Sequence, residues 1–339
     1  MAIHIREANL IDDGMILTGL VQRYLNAEAD GARFRWLYQE NPFGPARAWI
    51  ACEQQGEAIG MAAVFPRQMY RDGKIVSGCV LGDLCISPNY RSVGPALQLQ
   101  RSCLACVRPP EFAVAYDFPS TTMLGIYKHL GISPIGESVR LAKILRADQK
   151  VERALRSRLL SRPASAAVNF ALAAASRKPE NRTDLSFRLE TTLCGSEYSD
   201  LARRVGSSLG ICTLRSAEYL NWRYWRHPHR KYEFLTARRA HDLLTFCTFT
   251  MLDGNATVVE LFGDMDVQVV TGLLRELARL LRARCVATLN VPLLRSDPRI
   301  RLLRKLGYWA REAAPVMGFA GESTLSSSQM FLMHGDGES

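Results

Sequence analysis

The residues best suited to chemistry stand at a strand-to-helix junction. Residues 75–86 read as a strand, Arg91-Ser92-Val93-Gly94-Pro95-Ala96 follows, and a helix with Leu97, Leu99, Cys103 and Leu104 is predicted from about 94 to 107. At a helix start several backbone N–H groups lack intrahelical partners, and the helix dipole adds positive potential, so this junction suits a phosphate. Gly94 lets the backbone approach an anion closely. Pro95 fits the first turn, where a missing N–H needs no intrahelical partner, although it removes one possible donor. Cys103 and Cys106 form a C-x-x-C with no second pair or histidine pair near it, which points to two small core residues and not to zinc; no metal is expected.

The elements around this junction predict a mixed α/β domain. A strand at 4–8 precedes a helix over 12–29, with Ile16, Leu17, Leu20, Val21 and Leu25 on its apolar stripe. Strands follow at 48–53 and about 59–65, joined by a turn at Gln55-Gly56, and Asp72-Gly73 is a hairpin turn. Beyond the junction come a strand at 112–116, a short helix from Ser120 to Leu130-Gly131, whose glycine suits a left-handed cap, and a strand pair over 136–145.

The second half repeats this plan. Trp36-Leu37-Tyr38-Gln39-Glu40-Asn41-Pro42 matches Trp222-Arg223-Tyr224-Trp225-Arg226-His227-Pro228 as W-x-Y-x-x-[N/H]-P, and Tyr127-Lys128-His129-Leu130-Gly131 matches Leu303-Arg304-Lys305-Leu306-Gly307. Between them recur a hairpin turn at Asp253-Gly254, a strand at 258–262, a helix at 267–281 and a strand at 285–289, so two related folds in tandem are expected. Residues 148–182 carry Arg153, Arg156, Arg158, Arg162 and Pro163 and read as a basic helical linker; contact of 153–176 with a membrane surface is a sharper alternative to packing between domains.

The chain of 339 residues has a formal net charge of +10, which suits anionic partners without choosing among them. Trp222 to Arg230 mixes aromatic and basic residues as nucleic-acid sites do, but the matching segment at Trp36 is not basic, so nucleic-acid binding is not expected. The nine cysteines lie mostly in apolar segments, which favours reduced thiols and a cytoplasmic protein. The first residues have no apolar run after a basic start, and no stretch is long enough to span a membrane.

In Arg91-x-x-Gly94-x-Ala96, with its strand before and helix after, the chain resembles the GNAT superfamily of acyl-CoA-dependent acyltransferases, whose phosphate loop reads [Q/R]-x-x-G-x-[G/A]. Tyr127 to Gly131 also matches the family's Y-x-x-x-G segment. The resemblance implies acetyl-CoA or another acyl-CoA as co-substrate, bound by Arg91, Ser92, Val93, Gly94, Pro95 and Ala96. It further implies a backbone N–H at Cys85 or Ile86 on the thioester carbonyl, and Tyr127 as the acid that protonates the departing thiolate. An amine acceptor, small molecule or peptide, must also lose a proton; Asp83 is the candidate base, with Asp117 as its rival, and either carboxylate has a structural reading as a cap or an arginine partner.

The expected organisation is an acyltransferase domain at 1–147, the linker, and a degenerate second copy at 183–339, each a mostly antiparallel central sheet flanked by helices. The second copy lacks R-x-x-G-x-A, places Asp264 and Asp266 at its helix start and has Leu303 where Tyr127 stands, so it is not expected to bind CoA. Trp36, Tyr38 and Asn41 lie where acceptor sites are often built in this family, but their recurrence in the second copy favours packing. The competing reading is a non-catalytic CoA-binding or interaction module.

Overall fold

The computed structural model describes residues 3–90, 93–147, 184–321 and 325–337. In chain order the elements are β1 (His4–Glu7), α1 (Gly14–Tyr24), α2 (Gly31–Phe34), β2 (Arg47–Cys52), β3 (Ala58–Arg71), β4 (Lys74–Ile86), α3 (Val93–Ala105), β5 (Val114–Asp117), α4 (Thr121–His129) and β6 (Gly136–Ile144). They continue with β7 (Leu185–Leu189), α5 (Ser196–Gly206), β8 (Ile211–Thr213), α6 (Ala217–Leu220), β9 (Glu233–Arg239), β10 (Asp242–Leu252) and β11 (Asn255–Gly263). After these come α7 (Val267–Ala283), β12 (Thr288–Leu294), α8 (Arg299–Lys305), β13 (Trp309–Phe319) and β14 (Met330–Phe331). Most of the elements expected from hydrophobic periodicity are present. The predicted linker at 148–182 lies outside the described residues.

The chain forms two compact units that interleave along the sequence. The first comprises Met1–Glu137, Gly206–Arg230 and Ala314–Ser339; the second comprises Ser138–Val205 and Lys231–Ala313. This partition differs from the division at 1–147 and 183–339, which follows the repeat in the sequence.

In the first unit β1, β2, β3 and β4 are antiparallel neighbours, β5 joins β4 in parallel, and the end of β13 pairs β5 through Met317, Gly318 and Phe319. Asp72 and Gly73 both take positive φ, 52° and 73°, as a tight two-residue hairpin requires. Alternation on the strands sends Ala62, Val64, Cys79 and Leu81 to one face, where Leu99 and Cys103 of α3 and Ile126 of α4 complete a buried core. In the second unit the order is β6, β12, β11, β10, β9, β7, with β11 and β12 the parallel pair.

Three expectations need correction. Residues 136–145 form one strand and not a pair: β6 runs alone over this stretch, and its residues from Ser138 on pair β12. The strand placed at 285–289 begins at Thr288, because Cys285 turns into the left-handed region at φ 61° and its amide and that of Val286 still close the end of α7. The first long helix stops at Tyr24, and Asn26 then accepts from the Glu28 amide at 3.0 Å in a local turn.

The repeated W-x-Y segments have a packing explanation. Both belong to the first unit, and each is a π-helical turn, Arg35–Gln39 and Asn221–Trp225. The indole of Trp36 donates to the Trp222 carbonyl at 2.8 Å and that of Trp222 donates to the Trp36 carbonyl at 2.9 Å, while the rings stack with centroids 5.1 Å apart. The [N/H] position has one role in both copies: Asn41 Oδ1 accepts from the amide two residues on, at 3.1 Å, and His227 Nδ1 does the same at 3.2 Å. Burial and the neighbouring Arg223 and Arg230 push the His227 pKa down to about 3, so its ring is the neutral acceptor this turn needs. The carboxy-terminal turn at 334–336 is anchored in the same unit by Arg215, which donates to Asp336 at 2.6 Å, and by Arg223, which donates to the Gly335 carbonyl at 3.0 Å.

Candidate functional site

The site is built on the parallel strand pair of the first unit. The ladder between β4 and β5 covers only Gly78, Cys79 and Val80 against Val114, Ala115 and Tyr116, after which β5 ends at Asp117 while β4 continues to Ile86. The two strands therefore part just before the junction. A bulge bends β4 here: two residues, Asp83 and Leu84, face one residue of β3 between the Met61–Cys85 and Ala63–Gly82 pairs, and Asp83 takes φ 48°. Ser87 donates across to the Ile59 carbonyl at 2.7 Å. Because amides alternate along a strand, the Cys85 amide then turns toward β3 and the Ile86 amide turns to the side from which β5 has departed.

Beyond β4, helix α3 starts at Val93. A Cβ built on Gly94 meets nothing within 4 Å, so the helix start has open space above it. Gly94 is exposed, Pro95 is buried, and Ala96 is buried in the core beneath. Arg91 and Ser92 lie outside the described residues. The side chains at Cys85 and Ile86 are buried, and burial beside the Asp83 carboxylate pushes the Cys85 thiol up to about 12, which rules it out as a nucleophile near neutral pH.

Tyr127 is 1% exposed and meets two polar partners. Its hydroxyl donates to Asp117 Oδ2 at 2.5 Å and accepts from Gln100 Nε2 at 2.9 Å. One residue each from the end of β5, α3 and α4 thus forms a single buried chain. Burial raises the Asp117 pKa from 3.8 to about 6, against the opposing pull of hydrogen bonds from Tyr127 and the Phe118 amide. Gln100 escaped the sequence reading. Its signal was a polar residue on the apolar stripe of a helix, four residues after Ala96 and three before Cys103.

Asp83 is placed differently. It is 2% exposed, and its carboxylate accepts both Nη groups of Arg33 at 2.8 Å and the Tyr38 hydroxyl at 2.7 Å. Burial and this carboxylate raise the Tyr38 pKa well above 10, so the phenol stays a donor. The structure thus brings Asp117 and Tyr127 together, and gives Asp83 to Arg33 and Tyr38. Trp36, Tyr38 and Asn41 are all buried, with Asn41 Nδ2 donating to the Pro66 carbonyl at 2.9 Å.

In the second unit the corresponding helix start is closed. Asp266 caps α7 and accepts from the amides of Gln268 and Val269 at 2.7 and 3.0 Å, where a phosphate would need those donors. Among the described residues no group of histidine, cysteine or carboxylate side chains is arranged to hold a metal ion, and no helix is long and apolar enough to cross a membrane.

No known family's sequence profile matches the chain, and no curated protein matches it. Solved structures do. A GCN5-related N-acetyltransferase from Anabaena variabilis ATCC 29413 superposes with a TM-score of 0.67 at 12% identity, over 94% of this chain and 73% of that one. Another, from Kribbella flavida, gives 0.62 at 16% identity over 94% and 71%. A tandem GNAT protein from the clavulanic acid biosynthesis pathway gives 0.57 at 14% identity over 95% of this chain and 100% of its own. The chain therefore has the fold of the GCN5-related N-acetyltransferases, in the tandem arrangement.

Proposed function

We propose that the protein transfers an acetyl or other acyl group from acyl-CoA to an amine, using the first unit alone. The observation that carries this reading is the parting of β4 and β5 directly before an open helix start at Gly94, with Tyr127 and Asp117 buried at the end of β5. In this reading residues Arg91 to Ala96 hold the pyrophosphate and the Ile86 amide, which faces away from β3, donates to the thioester oxygen as negative charge develops there.

The reaction asks for two proton movements. The amine nitrogen attacks the thioester carbonyl carbon and loses a proton; the carbon–sulfur bond breaks, and the thiolate takes a proton from the Tyr127 hydroxyl. Asp117, whose pKa of about 6 is poised near neutrality, is the carboxylate able to take a proton and return one to Tyr127. Asp83 already accepts three hydrogen bonds, so in this reading it fixes Arg33 and Tyr38 on the acceptor side of the bulge instead of acting as the base.

The test is calorimetric titration of acetyl-CoA and longer acyl-CoAs, followed by thiol release against a panel of amines. A Gly94→Trp change should abolish CoA binding without lowering the thermal midpoint, because the position is open. Tyr127→Phe should retain CoA binding and lose turnover. A protein with no affinity for any CoA thioester refutes the proposal. One that binds CoA, with an affinity that Tyr127→Phe leaves unchanged, but releases no thiol with any amine is a binding module.

A further inference from the structure

Outside this site the second unit contains a cavity of about 590 Å3. Ligand pockets commonly span roughly 300–1,000 Å3, so it has the capacity for a small molecule. Val139 and Leu141 of β6 and Ile300 of α8 give it an apolar wall, and Arg295, Arg301 and Arg304 line it with positive charge.

Among the described residues Asp297 is the one carboxylate lining the cavity, and it is committed to Arg299, whose Nε and Nη2 lie 2.9 and 2.5 Å from its two oxygens. Arg299 is itself buried and also donates to the Leu261 carbonyl. Arg301 and Arg304 are exposed, and among the described residues neither guanidinium has an ion-pair partner. Three residues apart on α8, they project from the same side of the helix, where like charges repel in the absence of an anion. Guanidinium forks match phosphate oxygens, and each charge-assisted contact is strong.

We propose that this cavity binds a phosphorylated small molecule of nucleotide size, with its phosphates on Arg301 and Arg304 and its uncharged portion against Val139, Leu141 and Ile300. The site is separate from the start of α7, where Asp266 occupies the amides. It does not depend on the acyl-transfer reading.

The experiment titrates the full chain with ATP and, separately, with inorganic pyrophosphate at low and moderate salt. The same titrations are run on Gly94→Trp, which blocks the first unit's loop, and on Arg301→Gln/Arg304→Gln. The two arginines are exposed, so the double variant should keep the parent's thermal midpoint. Expected are one equivalent of ATP bound by the parent and by Gly94→Trp, and a loss of about tenfold per arginine replaced, on the order of 100-fold together. Pyrophosphate, which lacks the apolar portion, should bind at least about tenfold more weakly than ATP. The proposal is overturned by any of three results: no ATP binding, unchanged affinity in the double arginine variant, or equal affinity for the two ligands. ATP binding lost only in Gly94→Trp likewise overturns it, and assigns the nucleotide to the first unit.

Discussion

Replacing Asp117 with asparagine should make the protein more stable as the pH rises, and the size of the effect follows from its burial. The folded chain holds the Asp117 proton up to about pH 6, whereas an unfolded chain releases it near 3.8. Below pH 3.8 both states are protonated and the group makes no difference. Between 3.8 and 6 the unfolded state ionises first, so the parent loses stability as pH rises; above 6 the loss is constant. The difference of about two pH units corresponds to about 3 kcal/mol. Asparagine keeps an acceptor for the Tyr127 hydroxyl and cannot ionise. The lost bond from the Phe118 amide costs about 1 kcal/mol at every pH and does not alter the slope. Urea unfolding by tryptophan fluorescence is the assay, since Trp36, Trp49, Trp222 and Trp225 all belong to the first unit and only Trp309 to the second. Stability of Asp117→Asn relative to the parent should rise by about 3 kcal/mol from pH 3.8 to 6 and then level off. A relative stability that is flat or falling over that range refutes the account of Asp117 as a carboxylate held protonated by burial. In the parent, the turnover proposed above should rise with pH through the same region, as Asp117 becomes able to accept a proton.

Other outcomes follow from the packing. Trp36→Phe leaves the buried Trp222 carbonyl without its donor and should cost about 1–3 kcal/mol in urea titration; Trp36→Phe with Trp222→Phe should cost less than the sum, because the two residues contact each other. Asp336→Asn removes the carboxylate facing a fully buried Arg215 and should destabilise by about 3–5 kcal/mol, visible as a lower thermal midpoint, whereas replacing both with apolar residues should cost less. Thiol titration at pH 8 should find one fast-reacting cysteine, the exposed Cys285, and all nine after unfolding; several fast thiols would contradict the burial of the other eight.

Much of the fold was legible because it depends on local periodicity. The Asp72-Gly73 turn, the apolar stripe of α3, and the serine and glycine flanking α4 are short-range signals, and each sits where expected: Ser120 caps the helix and Gly131 takes φ 72°. The repeat was legible for the same reason, since W-x-Y-x-x-[N/H]-P carries its own turn geometry. The reciprocal indole bonds across 186 residues of sequence were not, nor was the separation of β6 from the strands before it into the second unit. No local pattern encodes which sheet edge a strand will join.

The candidate site divides along the same line. The strand, the glycine-bearing turn and the helix behind it were readable from residue order, because a strand-to-helix junction is made from consecutive residues. The surroundings that distinguish the two carboxylates, in contrast, arise from tertiary packing. Asp83 and Asp117 are equivalent as letters at strand ends, yet three hydrogen-bond donors surround one while a phenol, a backbone amide and an apolar core surround the other. A side chain's proton affinity is set by the dielectric and the charges around it, and those come from segments far away in the chain.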